Sequence, residues 1–151
     1  MKGVKVTLDT KVQPNLVDWR KLNGYDVSKD AIIKSITSDF TDIYVQIPNP
    51  EVNKLYTVSF DAYGSTTDNK ITTHLIPLTQ EDIIAVSKDG HKITDNGHVD
   101  WYNLSEKSKR YFVTYRCVER AKTIYIRCRP GTTYIRNIKL ELSDHPTDYE
   151  E

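Results

Sequence analysis

The chain has 151 residues and a mass of 17.5 kDa, room for one domain and an arm. Apolar residues make up 38% of it and charged residues 28%, which is a globular composition and not a disordered one. Lysine plus arginine equals aspartate plus glutamate, 21 each, so net charge names no partner, and no apolar run approaches the roughly 18 residues of a membrane span.

Lys2 to Leu8 alternates and predicts a first strand carrying Val4, Val6 and Leu8. Met1-Lys2-Gly3-Val4 leads straight into it without a basic-then-apolar leader. Residues 10–26 are polar without a period and read as a loop or arm. Ser28 to Lys34 reads as one or two helical turns capped by Ser28. Ile43 to Ile47 alternates until Pro48-Asn49-Pro50 breaks it, since proline lacks the donor a ladder needs. The clearest strand is Leu55 to Tyr63, with Tyr56, Val58, Phe60 and Ala62 on one face and Thr57, Ser59 and Asp61 on the other. Lys70 to Leu75 is a shorter strand, and Thr79 to Asp82 a short turn. Asp89-Gly90 and Asn96-Gly97 are hairpin signals, so residues 83–100 read as a β excursion. Tyr111 to Cys117, Ile124 to Cys128 and Thr132 to Leu142 complete the strands, with a turn at Pro130-Gly131 before the last.

Short strands between turn signals predict an all-β fold, a jelly-roll β-sandwich of about eight antiparallel strands. The expected division is an N-terminal arm or docking strand over 1–14 and a single jelly roll over 15–151. Two cysteines cannot build a disulfide framework or a four-ligand zinc site. If Tyr111–Cys117 and Ile124–Cys128 form a hairpin around Arg120, Cys117 faces position 123, about 17 Å from Cys128 and too far for a bridge. Two separate core thiols are expected.

The strands Tyr111-Phe112-Val113-Thr114-Tyr115 and Thr123-Ile124-Tyr125-Ile126-Arg127 are followed by Thr132 to Glu141, ending Arg136-Asn137-Ile138-Lys139-Leu140-Glu141, and by Thr147-Asp148-Tyr149. With Leu55 to Tyr63 in the middle and Asn15-Leu16 near Trp19 at the start, this resembles the carbohydrate-binding-module-like jelly rolls of bacteriophage tail, baseplate and fibre proteins. Those domains end in a similar strand and a short tail closed by Trp, where this chain has Tyr149, and they carry Asp where it has Arg136. The resemblance covers roughly 15–149 and lies in packing motifs. It implies a virion protein made in the bacterial cytoplasm.

Enzyme signatures are absent: no Gly-x-Ser-x-Gly, His-Glu-x-x-His, phosphate-cradling loop or Cys-x-x-Cys occurs, and a non-enzyme is expected. His91 and His98 could approach across the Asn96-Gly97 turn, but with His74 and His145 they read as surface histidines and not as zinc ligands. Asp89, Asp95, Asn96 and Asp100 lack EF-hand order and read as solvated turn residues; no cofactor is expected, and the resemblance alone leaves room for a structural calcium. Ten Tyr and two Trp against three Phe favour flat rings with polar tips, which suit both the C–H faces and the hydroxyls of a sugar. Residues 107–139 hold ten Lys/Arg and one acid, Glu119, and predict a basic β face shared by Arg116 and Arg127. Tyr125 alone is a weak stacking platform, so nucleic acid is not an expected partner.

Two functions follow. In the first, a non-catalytic adhesin holds a host surface glycan through Tyr125, Arg127 and Arg116 with the loop residues Trp19, Trp101 and Tyr102, and many copies per virion supply strength. In the second, a stand-alone capsid or tail decoration subunit makes only protein contacts, docking through Val4, Val6 and Leu8 as an added strand and assembling as a homo-oligomer or in many copies.

Overall fold

In the computed structural model the described residues are 12–24, 33–34, 41–64, 70–76, 80–87, 91–94, 97–102, 104–128 and 133–150. The expected first strand with Val4, Val6 and Leu8, the Ser28 cap, Asp89-Gly90 and the Pro130-Gly131 turn lie outside them.

The strands are β1 Ile33–Lys34, β2 Thr41–Gln46, β3 Leu55–Gly64, β4 Lys70–Ile76, β5 Ile83–Val86, β6 His91–Ile93, β7 Val99–Tyr102, β8 Lys109–Arg116, β9 Thr123–Cys128 and β10 Thr133–Leu142. They form two five-stranded sheets, β1-β10-β3-β8-β5 and β2-β9-β4-β7-β6, with antiparallel pairing throughout. From β1 to β4 and again from β7 to β10 the chain crosses between sheets at nearly every connection, which is the jelly-roll winding. The eight-strand frame is β1–β4 plus β7–β10. The expected excursion supplies β5 and β6, each adding an edge strand to one sheet. Ile33 and Lys34, read as helical from sequence, pair instead with Ile135 and Tyr134.

Period-two alternation sends one face of each strand inward. Ile43, Val45, Val58, Phe60, Ile71, Leu75, Val113, Ile124, Ile126 and Leu140 are buried between the sheets. Tyr115 spans the gap, its hydroxyl donating to Thr73 Oγ1 at 3.1 Å, and burial pushes that hydroxyl well above the usual tyrosine range. β8 and β9 lie in different sheets and do not form the hairpin expected around Arg120. Cys117 and Cys128 are nonetheless separate, buried free thiols.

The outer face of the first sheet is roofed by the chain ends. Lys139 and Glu141 alternate with Ile138 and Leu140, so they point away from the core, yet both are buried. Lys139 Nζ donates to Thr147 Oγ1 at 2.8 Å and to the Asp148 carbonyl at 2.7 Å. Glu141 accepts from the Thr147 N–H and, at 2.6 Å, from its hydroxyl. Asn15 donates to the Ile138 carbonyl and accepts from the Leu140 N–H, and Leu16 N–H donates to the Leu140 carbonyl at 2.8 Å. Asn137 takes a positive φ of 56° where the β10–β3 register shifts. These bonds give the strand-plus-tail pattern a physical meaning: the strand's charged residues grip the tail, and its bulge lets both neighbours keep register.

Candidate functional site

Among the described residues the outer face of the second sheet carries no such roof. On β2 the residues out of phase with Ile43 and Val45 are Asp42 and Tyr44; on β9 they are Tyr125 and Arg127; on β4, Thr72 and His74; on β7, Asp100 and Tyr102. Register aligns them into rows running across the strands. Tyr44 stands opposite Tyr125, and Tyr125 opposite His74. Pairing of Thr73 with Val99 brings His98 beside His74, their ring centroids 3.9 Å apart. Tyr44 and Tyr125 meet edge to face at 4.8 Å. One row therefore holds four rings and spans ~14 Å, three strand spacings. The row beside it, two residues along each strand, is Asp42, Arg127, Thr72 and Asp100.

Between and above these rows lies a groove of about 430 Å³, lined by Asp42, Tyr44, Thr72, His74, His98, Tyr125 and Arg127. Its polar atoms are held in place. Arg127 is clamped by Asp42 through two bonds in fork geometry, Nε to Oδ1 at 2.7 Å and Nη2 to Oδ2 at 3.0 Å, which fix the guanidinium against the carboxylate. Thr72 Oγ1 donates to Asp100 Oδ1 at 2.6 Å, and Tyr102 OH donates to Asp100 Oδ2 at 3.2 Å. His98 is positioned by a tight turn. Gly97 N–H donates to the Thr94 carbonyl at 3.0 Å with φ of 84°, and Thr94 Oγ1 accepts from the His98 N–H at 3.1 Å. The excursion that contributes β6 thus also builds one end of the groove.

Of the residues singled out from sequence, Tyr125 and Arg127 line the groove, and Tyr102 lies beyond Asp100 on the same face, 40% exposed with Lys70 Nζ 5.6 Å from its ring. The others are not brought there. Trp19 is 2% exposed and packs into the core, its indole N–H donating to Tyr149 OH at 2.9 Å. Trp101 is 1% exposed, in phase with Val99, and packs against Phe60 and Tyr111 at 5.7 Å from each. Neither indole can stack on a ligand. Arg116 is exposed, but on β8, so it belongs to the opposite sheet from Arg127. The predicted basic face does not form. Arg110 turns to Asp61, Ser59 and the Asn137 carbonyl, Lys139 is buried, and Arg127 is paired. Among the described residues no three His, Cys, Asp or Glu side chains cluster closely enough to hold a metal ion, and Asp89, Asp95 and Asn96, which read from sequence as solvated turn residues, lie outside them.

Sequence reasoning read His98 only as a surface histidine, and it missed Tyr44, His74, Asp42 and Thr72. Their outward phase was legible, since each alternates with a core residue. Which outward residues share a row depends on register, and β2, β9 and β4 come from distant parts of the chain.

No family model and no curated protein matches the chain. Among solved structures, it is similar to the enzymatically active domain of tailspike protein 4 of bacteriophage CBA120, at 14% identity and a TM-score of 0.46. That match covers 74% of this chain and 15% of the tailspike chain. It is also similar to a CBM4 structure, at 17% identity and a TM-score of 0.42, covering 75% of this chain and 68% of the other. A third likeness is to a protein of Bacteroides thetaiotaomicron VPI-5482 named for a prospective sugar-binding role, at 10% identity, a TM-score of 0.43 and coverage of 68% and 67%.

Proposed function

We propose that the protein is a non-catalytic glycan-binding jelly roll of a bacteriophage virion, which holds a saccharide chain in the groove of its second sheet. The observation that carries this reading is the pair of cross-strand rows, rings beside clamped polar groups. A sugar chain offers apolar C–H faces and a fringe of hydroxyls along its length, and the two rows offer a partner for each. At ~14 Å the ring row is longer than one sugar, so the fitting ligand is an oligosaccharide or an internal stretch of a polymer lying across the strands. The virion setting rests on the sequence resemblance of the strand and tail motifs.

Binding without cleavage is favoured by the spacing of the acids. Glycosidases place two carboxyl groups about 5 to 9.5 Å apart. Asp42 and Asp100 sit three strands apart in one row, ~14 Å at ordinary strand spacing. Asp42 is also tied to Arg127, and Asp100 to two hydroxyls.

Calorimetric titration with envelope polysaccharides of candidate host bacteria tests the reading, with Tyr125→Ala as the control. Saturable binding that this substitution removes is expected, with no release of reducing ends. A failure of every host-matched glycan to bind would contradict it and favour the decoration-subunit alternative.

A further inference from the structure

Resting on the glycan reading above, we infer that the groove selects an uncharged saccharide chain and discriminates against carboxylated or phosphorylated ones. A site for an anionic sugar needs a cation that is not already committed to a carboxylate. Here the charges compensate one another within the sheet. Along the polar row the signs alternate from Asp42 to Arg127 to Asp100. Arg127, the one Lys or Arg that lines the groove among the described residues, gives two of its donors to Asp42 in fork geometry.

An acidic group entering the groove would meet the Asp42 carboxylate in its lining and, toward the other end, the field of Asp100, buried behind Thr72. With Asp42 and Asp100 ~14 Å apart, any point between them along the row lies within about 7 Å of one, inside the screening length of physiological salt. An anion bound to the remaining Arg127 donors would sit beside the Asp42 carboxylate, whose charge already neutralises the guanidinium, so the net attraction is small. A neutral hydroxyl meets no such conflict. It can donate to the Asp42 oxygens, which only accept, and accept from the guanidinium, which only donates. The alternating row is therefore matched to hydroxyls and not to anions.

The test uses backbone-matched pairs: neutral β-glucan, xylan and galactomannan, each beside its carboxymethylated form, and polygalacturonate beside its methyl ester, together with purified host polysaccharides before and after carboxyl reduction. The expected result is that the neutral member of a binding pair is favoured by at least about tenfold, with affinity unchanged between about 0.05 and 0.5 M salt. Asp42→Asn should free Arg127 and narrow or reverse the preference. Stronger, salt-sensitive binding of the acidic member to the unaltered protein would overturn the charge selectivity while leaving the glycan reading intact. An absence of binding to every member, host polysaccharides included, would overturn both.

Discussion

The two sheets of the sandwich are built alike, yet their outer faces differ. Each carries an Arg–Asp pair between register partners: Arg110 with Asp61 on the first sheet, Arg127 with Asp42 on the second. On the first sheet the tail covers the face. Arg110 also bonds Ser59 and the Asn137 carbonyl and lies 5.4 Å from the ring of Tyr149. On the second sheet the Arg127 side chain is 49% exposed and borders a groove with rings beside it. The same pair of side chains can therefore brace a fold or present a surface, depending on what the chain ends do.

The contrast can be broken most severely at the roof. Lys139→Met should destabilise the protein by about 3–5 kcal/mol, because it leaves Glu141 as a buried charge without its cation. Denaturant melting reads this, and any folded fraction should keep its groove intact. Tyr125→Ala should do the reverse, weakening glycan binding by about thirtyfold or more, the effect of losing a hot-spot ring, with an unchanged circular dichroism spectrum. The two arginines give the matched comparison. Arg110→Ala should cost about 1.5–3 kcal/mol, since it strips charge-assisted bonds under the tail, whereas Arg127→Ala should stay within about 1 kcal/mol of the parent in stability and lose affinity instead. Equal stability losses for the two would erase the distinction.

The smallest effect concerns Cys117. Burial raises its thiol pKa above the ordinary 9.0, and the thiol packs against the Ala121 carbonyl at 3.4 Å. In the unfolded chain it deprotonates first, so its contribution to stability is complete below the unfolded pKa and declines as pH rises past it. Thiol labelling under native conditions should be slow, and a Cys117→Ala variant should show a shallower loss of stability above about pH 9 than the parent.

Much of the architecture was legible from period and punctuation. Leu55–Tyr63 and Tyr111–Cys117 have the inward faces their alternation implies, the last strand forms where expected, and Gly97 takes a positive φ beside His98. The short Ile33–Lys34 strand was not, because two residues held by Ile135 and Tyr134 leave no local period. The site was read only in part. Tyr125 and Arg127 were found from their phase on β9. Trp19 and Trp101 were favoured for their chemistry, yet Trp101 shares its phase with Val99, and Trp19 is drawn inward by its bond to Tyr149 more than a hundred residues away. Joining Arg116 to Arg127 requires consecutive strands to pair, whereas β8 and β9 of this jelly roll lie in opposite sheets.

The most direct measurement is an NMR titration with a neutral glycan that binds, following backbone and side-chain shifts over both sheets. The largest shifts are predicted at Tyr44, Tyr125, His74, His98 and Arg127, with Arg116, Arg110 and Thr147 undisturbed. Shifts centred on β8 and the tail, with the ring row silent, would contradict the assignment of binding to the second sheet.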